Sequence, residues 1–241
     1  MLKVPSGASA RWQPRAPGVA VALALWLGAC ASPEPPSLLP APAAVPAAAP
    51  IVSVDSPPTW RPGDQWVYDW KSGADTGVKV VEVLEIREVN RVSYYIVRIG
   101  DLDHLYTKDL HWAGGVQDSK VLARMIPPIP WFVWPLEPGR RWSHLGTYED
   151  PQGKRQHSDT FAVVGGETVD VPAGRFSTLK LAREGAGRDS DEYWYAPEVR
   201  FYVKWVGRRG EQQFEEMLRE HRPSRRLIPE SAPPSPPSRP R

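Results

Sequence analysis

The one cysteine of the 241-residue chain is Cys30. A single cysteine cannot form an internal disulfide, so no disulfide framework holds the fold. Two small residues, Gly28 and Ala29, precede it. The thiol itself can be alkylated. The alternative is a buried structural cysteine in an N-terminal helix.

The sequence before Cys30 favours covalent modification. Residues 1–17 carry three basic side chains and no acidic one, and residues 18–29 are uncharged and mostly apolar. Twelve residues extend only about 18 Å as a helix, whereas a bilayer core is about 30 Å thick. A basic segment followed by a short apolar one is typical of a secretory signal.

The four residues Leu27-Gly28-Ala29-Cys30 resemble the lipobox of bacterial lipoproteins. The resemblance implies a diacylglyceryl group on the thiol, cleavage between Ala29 and Cys30, and a further acyl chain on the freed amine. Several chains on one residue would hold a domain firmly on a membrane. Ala31 stands where an Asp would imply retention in the inner membrane, so the resemblance favours the outer membrane, with the domain facing the periplasm.

Two other stretches contain groups that could do chemistry. The segment "DLDHLYTKDLHW" holds Asp101, Asp103, His104, Asp109 and His111. Their spacing matches no metal motif, so it predicts polar residues around a turn and no metal site. The acids of "GRDSDEYWY" (187–195), which are Asp189, Asp191 and Glu192, are predicted to be solvated turn residues.

Hydrolase elbows, zinc-protease helices and phosphate-binding glycine loops are absent from the sequence. We therefore expect no catalytic residues, no cofactor and no enzymatic activity. A formal net charge of +2 is too small to suggest a nucleic-acid partner.

The most apolar stretch after Cys30 is "MIPPIPWFVWPL" (125–136), whose prolines forbid a helix. It predicts either a crossover that covers the core or an exposed apolar flap beside a binding groove or membrane. In the second case four residues would contact a ligand: Ile129, Trp131, Phe132 and Trp134.

The segments that must position these groups are predicted to be β-strands. Between residues 59 and 221, short runs rich in β-branched and aromatic residues alternate with Gly, Pro, Asp or Asn, as in "QWVYDW" (65–70) and "SYYIVRI" (93–99). The segment 210–221 fits a helix or a strand, and the turn-like "GRRG" before it favours a strand.

The predicted β domain contains an internal sequence repeat. "RPGDQW" (61–66) and "EPGRRW" (137–142) share a Pro-Gly-x-x-Trp element, in which a tight turn is followed by a core-facing tryptophan. Similar strand patterns follow each copy. This predicts two related halves, about 59–124 and 135–221, that share one core.

Three segments, "PLEPGRRW", "VDVPAGRFSTLKL" and "EYWYAPEVRFYVKW", resemble a family of uncharacterised bacterial periplasmic proteins. The resemblance covers about residues 59–221 and implies a curved, mostly antiparallel sheet akin to the half-barrels of lipoprotein carriers, which cradle acyl chains. Glu198 departs from the glycine usual near that position.

The sequence thus predicts an all-β domain at 59–221, a signal peptide at 1–29, a lipidated, proline-rich tether at 30–58 and a disordered Arg/Pro-rich tail at 222–241. The expected function is a non-catalytic binding or scaffolding module of the envelope. It would be anchored to the membrane through Cys30 and could bind an envelope protein. The alternatives are a carrier of a lipidic ligand and, third, an envelope hydrolase.

Overall fold

The computed structural model describes residues 53–118, 120–187 and 189–224, and these fold into twelve antiparallel strands. The first six are β1 (Gln65–Ser72), β2 (Asp75–Val89), β3 (Val92–Ile99), β4 (Leu102–Thr107), β5 (Trp112–Gln117) and β6 (Lys120–Ile129). The second six are β7 (Arg141–Asp150), β8 (Gly153–Val171), β9 (Gly174–Gly185), β10 (Ser190–Ala196), β11 (Phe201–Arg209) and β12 (Gln212–Arg222).

Each strand pairs with its neighbours in the sequence, and β1 pairs with β12, so the sheet closes into a barrel. The prediction of an all-β, curved, antiparallel sheet is confirmed. The curvature goes beyond a half-barrel because the first and last strands meet. The segment 210–221, which fitted either a helix or a strand, lies almost wholly in β12.

Alternation of side chains explains which residues fill the barrel. Trp66 and Tyr68 on β1 are fully buried, as are Val81 and Val83 on β2. These side chains point to one face because successive residues of a strand point to opposite faces. Val78, in the opposite phase of β2, lies on the outer face and is 54% exposed.

The weakest pairing in the barrel lies between β6 and β7. Only three residue pairs join these strands, ending at Ile126 opposite Thr147. Prolines follow at 127 and 128, and proline has no N–H to donate. Side chains of β7 use the free carbonyls instead: the indole N–H of Trp142 donates to Pro130 O at 2.8 Å, and His144 Nε2 lies 3.0 Å from Pro127 O.

Two non-strand segments help to fill the interior. Trp60, fully buried, packs against Trp66, Tyr95 and Phe201 with ring centroids 4.9–5.4 Å apart. The segment before it forms a two-hydrogen-bond bridge between Val54 and Leu136. The apolar stretch 125–136 therefore begins as the end of β6 and continues as a connection packed onto the core.

The two Pro-Gly-x-x-Trp elements have the same backbone geometry. Gly63 and Gly139 both adopt φ of +88°, which favours glycine. Their N–H groups donate to Val83 O at 2.7 Å and to Val163 O at 2.8 Å, respectively. The relation between the two halves beyond these turns stays a prediction.

The first turn also carries a buried carboxylate. Asp64 accepts hydrogen bonds from Arg61 N, Ser224 N and the guanidinium of Arg200, at 2.8–2.9 Å. Burial raises the pKa of Asp64, but these donors outweigh it, so the pKa lies below its ordinary value. The carboxylate thereby joins the start of β1 to the chain that follows β12.

In the part of the chain that the structure describes, no helix has the length and apolar character needed to cross a bilayer. The signal peptide, Ala29, Cys30, most of the tether and nearly all of the tail lie outside the described residues.

Candidate functional site

A cavity of about 170 Å³ lies inside the barrel. Its walls are mostly aromatic, with one lysine and one glutamate among them. The lining residues are Lys79, Ile99, Tyr106, Trp131, Phe132, Tyr193, Phe201, Tyr202, Trp205 and Glu216.

Strand register brings the polar residues of this cavity together. Lys79 on β2 stands opposite Tyr68 on β1, and Glu216 on β12 stands opposite Trp205 on β11. Opposed residues of antiparallel strands point to the same face. Four consecutive strands, from β2 through β1 and β12 to β11, therefore present these side chains side by side.

Lys79, Tyr202 and Glu216 form a closed hydrogen-bonded triangle, which we call the Lys79 cluster. The Lys79 ammonium donates to Glu216 Oε2 and, at 2.9 Å, to the Tyr202 hydroxyl. The Tyr202 hydroxyl in turn donates to Glu216 Oε2 at 2.8 Å. Each charged group therefore has a partner of the opposite charge or a hydroxyl.

Aromatic faces surround the ammonium of Lys79. Its Nζ lies 5.2 Å from the ring centroid of Tyr68, 5.6 Å from that of Tyr202 and 5.9 Å from that of Trp205. These distances fall within the range of cation–π attraction. Burial lowers the pKa of Lys79, while Glu216 opposes that shift.

The chemistry open to this cluster is binding rather than proton abstraction. Burial, reinforced by the charge of Glu216, raises the pKa of Tyr202 well above its ordinary value, so its hydroxyl stays protonated. Glu216 already accepts two hydrogen bonds on one oxygen. The cavity therefore offers hydrogen-bonding groups and aromatic faces, and the charges of Lys79 and Glu216 compensate each other.

A second buried set of charges, the Arg183 cluster, consists of Asp159, Arg183, Asp191 and Arg209. Arg183 bridges the two aspartates: its Nε donates to Asp191 Oδ2 at 2.5 Å, and its Nη1 donates to Asp159 Oδ1. Arg209 Nη2 donates to Asp191 Oδ1 at 2.9 Å. Asp159, Arg183 and Asp191 are each at most 6% exposed.

Tryptophans separate the two clusters. Trp205 lines the cavity with its ring and donates its indole N–H to Asp191 Oδ1 at 3.0 Å. Trp131 also lines the cavity, and the Arg183 guanidinium carbon lies 5.7 Å from its ring centroid. One cluster thus fixes part of the wall beside the other.

The candidate ligand-contacting residues of the 125–136 stretch have different positions. Trp131 and Phe132 line the cavity. Ile129 is buried in a separate small cluster with Met125 and Phe161. Trp134 packs on Phe132 and Tyr195, and its indole N–H donates to Asp109 O at 3.2 Å.

The acidic and histidine residues of "DLDHLYTKDLHW" do not converge on one point. Asp103 pairs with Arg98 outside the barrel, at 2.5 and 3.1 Å. His104 accepts the indole N–H of Trp112 at 3.1 Å, while His111 Nε2 lies 3.1 Å from Phe132 O. The expectation of a solvated turn acid at 191 is wrong, because Asp191 is 1% exposed and belongs to the Arg183 cluster.

Lys79 and Glu216, the charges of the cavity, were not predicted as functional. A signal existed, because Lys79 is in phase with the inward-facing Val81 and Val83, and Glu216 lies between Phe214 and Leu218. A charged residue in the inward phase of a strand is the pattern that marks them.

Comparison with known proteins gives only distant likenesses. No protein-family model and no curated protein matches the chain. A candidate exported protein with a YmcC-like fold from Bacteroides fragilis is 14% identical, with 70% of this chain and 99% of that chain covered and a TM-score of 0.42.

Two further solved structures are similar at a lower level. A candidate lipoprotein of Parabacteroides distasonis is 12% identical, with 71% of this chain and 100% of that chain covered and a TM-score of 0.38. The hypothetical lipoprotein YmcC of Escherichia coli is 10% identical, with 66% of this chain and 85% of that chain covered and a TM-score of 0.34. Because all three TM-scores are below 0.5, these likenesses assign neither family nor function.

Proposed function

We propose that this chain is a lipid-anchored protein of the bacterial outer membrane whose barrel, facing the periplasm, is a non-catalytic binding module. The ligand class is a small, uncharged cyclic molecule that carries hydroxyl or amide groups. The observation that supports this is the cavity of about 170 Å³ with an aromatic wall around the Lys79 cluster.

The size of the cavity and its chemistry both favour such a ligand. Aromatic faces stack on the flat or apolar side of a ring. The ammonium of Lys79 and the carboxylate of Glu216 supply a hydrogen-bond donor and an acceptor to ring substituents. Since these two charges compensate each other, a charged ligand would displace one of them and leave the other unpaired.

The same dimensions argue against a carrier of acyl chains. Cavities for larger ligands usually measure about 300 to 1,000 Å³, and this one measures about 170 Å³. Much of the barrel interior is filled by the protein's own aromatic side chains, among them Trp60, Trp66 and Tyr68. A long chain would have to displace them.

Binding can be followed by tryptophan fluorescence, because Trp131 and Trp205 line the cavity. The probes are phenol, myo-inositol and N-acetylglucosamine. Palmitate is titrated separately to test the carrier hypothesis. A probe of about 12 non-hydrogen atoms at about 0.3 kcal/mol per atom would bind with a dissociation constant of about 2 mM.

Lys79→Met should weaken the binding of a ring probe at least tenfold by removing its hydrogen-bond donor. Lys71→Met is the matched control, since Lys71 also pairs with a glutamate of β12 but is 60% exposed in its side chain. Saturable binding of palmitate, with no response to any ring probe, would replace the proposal by the carrier function.

The membrane anchor is supported by the lipobox-like residues 27–30 and the basic and apolar segments before them. In cells fed a fatty-acid analogue, the parent chain should incorporate label and fractionate with the outer membrane. Cys30→Ser should do neither. Labelling of that variant would refute the anchor without affecting the binding proposal.

We also propose that the barrel has no enzymatic activity. Tyr202 stays protonated and Glu216 is engaged by two donors, so the cavity lacks a free base to activate a nucleophile. Turnover of an ester or glycoside that disappears in Glu216→Gln would favour the hydrolase function instead.

A further inference from the structure

Three residues at the β7–β8 pairing bring metal-ligating atoms together. One ligand atom each from His144, His157 and Asp159 lie within 4.8 Å of one another. From this geometry we infer that the three side chains form a binding site for a divalent transition-metal ion, of which Zn²⁺ is the simplest case. This site is distinct from the cavity.

Strand geometry places the three side chains on one face. His144 stands opposite Asp159, and His157 stands opposite Gly146. Residues two apart on a strand share a face, so His157 and Asp159 point the same way as His144. The site is therefore built on two paired strands, which hold ligands more rigidly than loops do.

The hydrogen bonding of His144 points to a missing partner. Its Nε2 lies 3.0 Å from Pro127 O, and a carbonyl can only accept, so Nε2 carries the proton. Its Nδ1 is then left with a lone pair, and that atom is buried without a hydrogen-bond partner. The residue is 6% exposed. A metal-bound histidine ordinarily donates its other ring N–H in this way.

One oxygen of the Asp159 carboxylate is held by an arginine, and the other contacts one of the two histidines. Arg183 holds Asp159 Oδ1, and His157 Nε2 lies 2.6 Å from Asp159 Oδ2. Arg183 also donates to Asp191, which is paired in turn with Arg209, so the guanidinium is shared between two carboxylates. Arg183 thus orients the ligand from outside the coordination sphere.

Space and access suit an ion. A Cβ at Gly146 would lie 2.8 Å from His144 Cε1, so the glycine makes room for the imidazole. The side chain of His157 is 32% exposed and gives a route from solvent. Ligands around tetrahedral Zn²⁺ lie about 3.4 Å apart at bond lengths near 2.1 Å. Separations of up to 4.8 Å would therefore close around an ion, while the 2.6 Å contact between His157 Nε2 and Asp159 Oδ2 would open.

The three side chains supply three of the four ligands of a tetrahedral site. Two imidazoles and one carboxylate favour Zn²⁺ or a neighbouring transition ion over Ca²⁺ and Mg²⁺, which prefer oxygen ligands. The fourth position would be taken by water.

The test is isothermal titration of Zn²⁺ into the full chain carrying Cys30→Ser, purified without a histidine tag, because a free thiol would compete for zinc. We expect one ion per chain with a dissociation constant of about 10 µM or tighter. Co²⁺ in place of Zn²⁺ should give the visible absorption of a tetrahedral site.

Two ligand variants and one control separate this site from adventitious binding. His157→Gln and His144→Gln should each weaken Zn²⁺ binding at least tenfold. His157 is the decisive position if His144→Gln does not fold, since it is partly exposed. His221→Gln is the control, because His221 also has a buried Nε2 without a hydrogen bond but belongs to no three-ligand group among the described residues.

Retained binding in His157→Gln would overturn the inference, as would an equal loss in His221→Gln. Failure of the Cys30→Ser chain to bind one Zn²⁺ with a dissociation constant of about 10 µM or tighter would also overturn it, whatever the cavity binds.

Discussion

The barrel contains two buried ionic clusters that differ in how fully their surroundings are packed. The Lys79 cluster lies at the wall of a cavity of about 170 Å³ and uses a lysine, whose ammonium is a point charge on a flexible stem. The Arg183 cluster uses the fixed fork of a guanidinium to hold two carboxylates at once. The first arrangement leaves room for a ligand, and the second fixes strands β8, β9, β10 and β11 to one another.

The largest effect should come from breaking the guanidinium bridge. Arg183→Met leaves Asp159 and Asp191 buried with too few donors, and the loss of one partner of such a pair costs about 3 to 5 kcal/mol. Urea unfolding of the Cys30→Ser chain, followed by tryptophan fluorescence, measures the change. A loss below about 1 kcal/mol would show that this cluster does not hold the strands.

The second largest effect should be a pH dependence of the unfolding free energy, caused by His104, whose pKa responds to the charge of Lys79. Burial, together with the charge of Lys79, lowers the pKa of His104 from 6.5 to about 4, against a smaller opposing effect of Asp103. The unfolded chain therefore binds more protons between these values, and stability falls as the pH drops from 6.5 toward 4 by about 3 kcal/mol in total.

Replacement of that histidine should flatten the profile. In His104→Gln an amide oxygen can still accept the Trp112 indole N–H, but no proton is taken up in this range. Urea unfolding at pH 7, 6, 5 and 4.5 compares the two chains. An equally steep fall in the variant would assign the dependence to other histidines whose pKa burial lowers, such as His111 and His221.

A smaller loss is expected from the cavity cluster. Glu216→Gln removes the carboxylate that faces Lys79, while burial favours the uncharged form of that lysine and lowers its pKa. We expect a cost of about 1 to 2 kcal/mol in unfolding free energy. A loss as large as that of Arg183→Met would remove the contrast between the two clusters.

The smallest effect should come from an ion pair of the same type outside the barrel. Arg175 pairs with Asp170 in a two-point contact at 2.8 and 3.1 Å, and both side chains are about half exposed or more. Exposed pairs contribute little because water and salt screen them. The unfolding midpoint of Arg175→Met should equal that of the parent, which would assign the cost at Arg183 to burial.

The sequence was sufficient to predict strands where apolar residues alternate without interruption. Trp66 and Tyr68 mark β1, and Tyr95 and Val97 mark β3. In β7 the inward positions are Trp142, His144 and Gly146, so the alternation fails where the proposed metal site lies. The end of β6 is hidden for a different reason: it contains prolines at 127 and 128, and proline does not normally occur within a sheet.

Closure of the barrel and convergence of the clusters could not be predicted from local pattern. Alternation shows which face of a strand is buried, but not which distant strand lies beside it. Glu216 meets Lys79 only because β12 pairs with β1. The three residues of the proposed metal site become neighbours only through the register of β7 and β8.

The meeting of β1 and β12 has a consequence for how the chain is made. Asp64 accepts a hydrogen bond from Ser224, 160 residues later, and the two edges of the sheet are satisfied only when β12 arrives. Contacts this far apart in sequence form late and slowly. A ribosome must therefore synthesise the chain through β12 before the barrel can close, so the sheet keeps two unpaired edges until that strand is made.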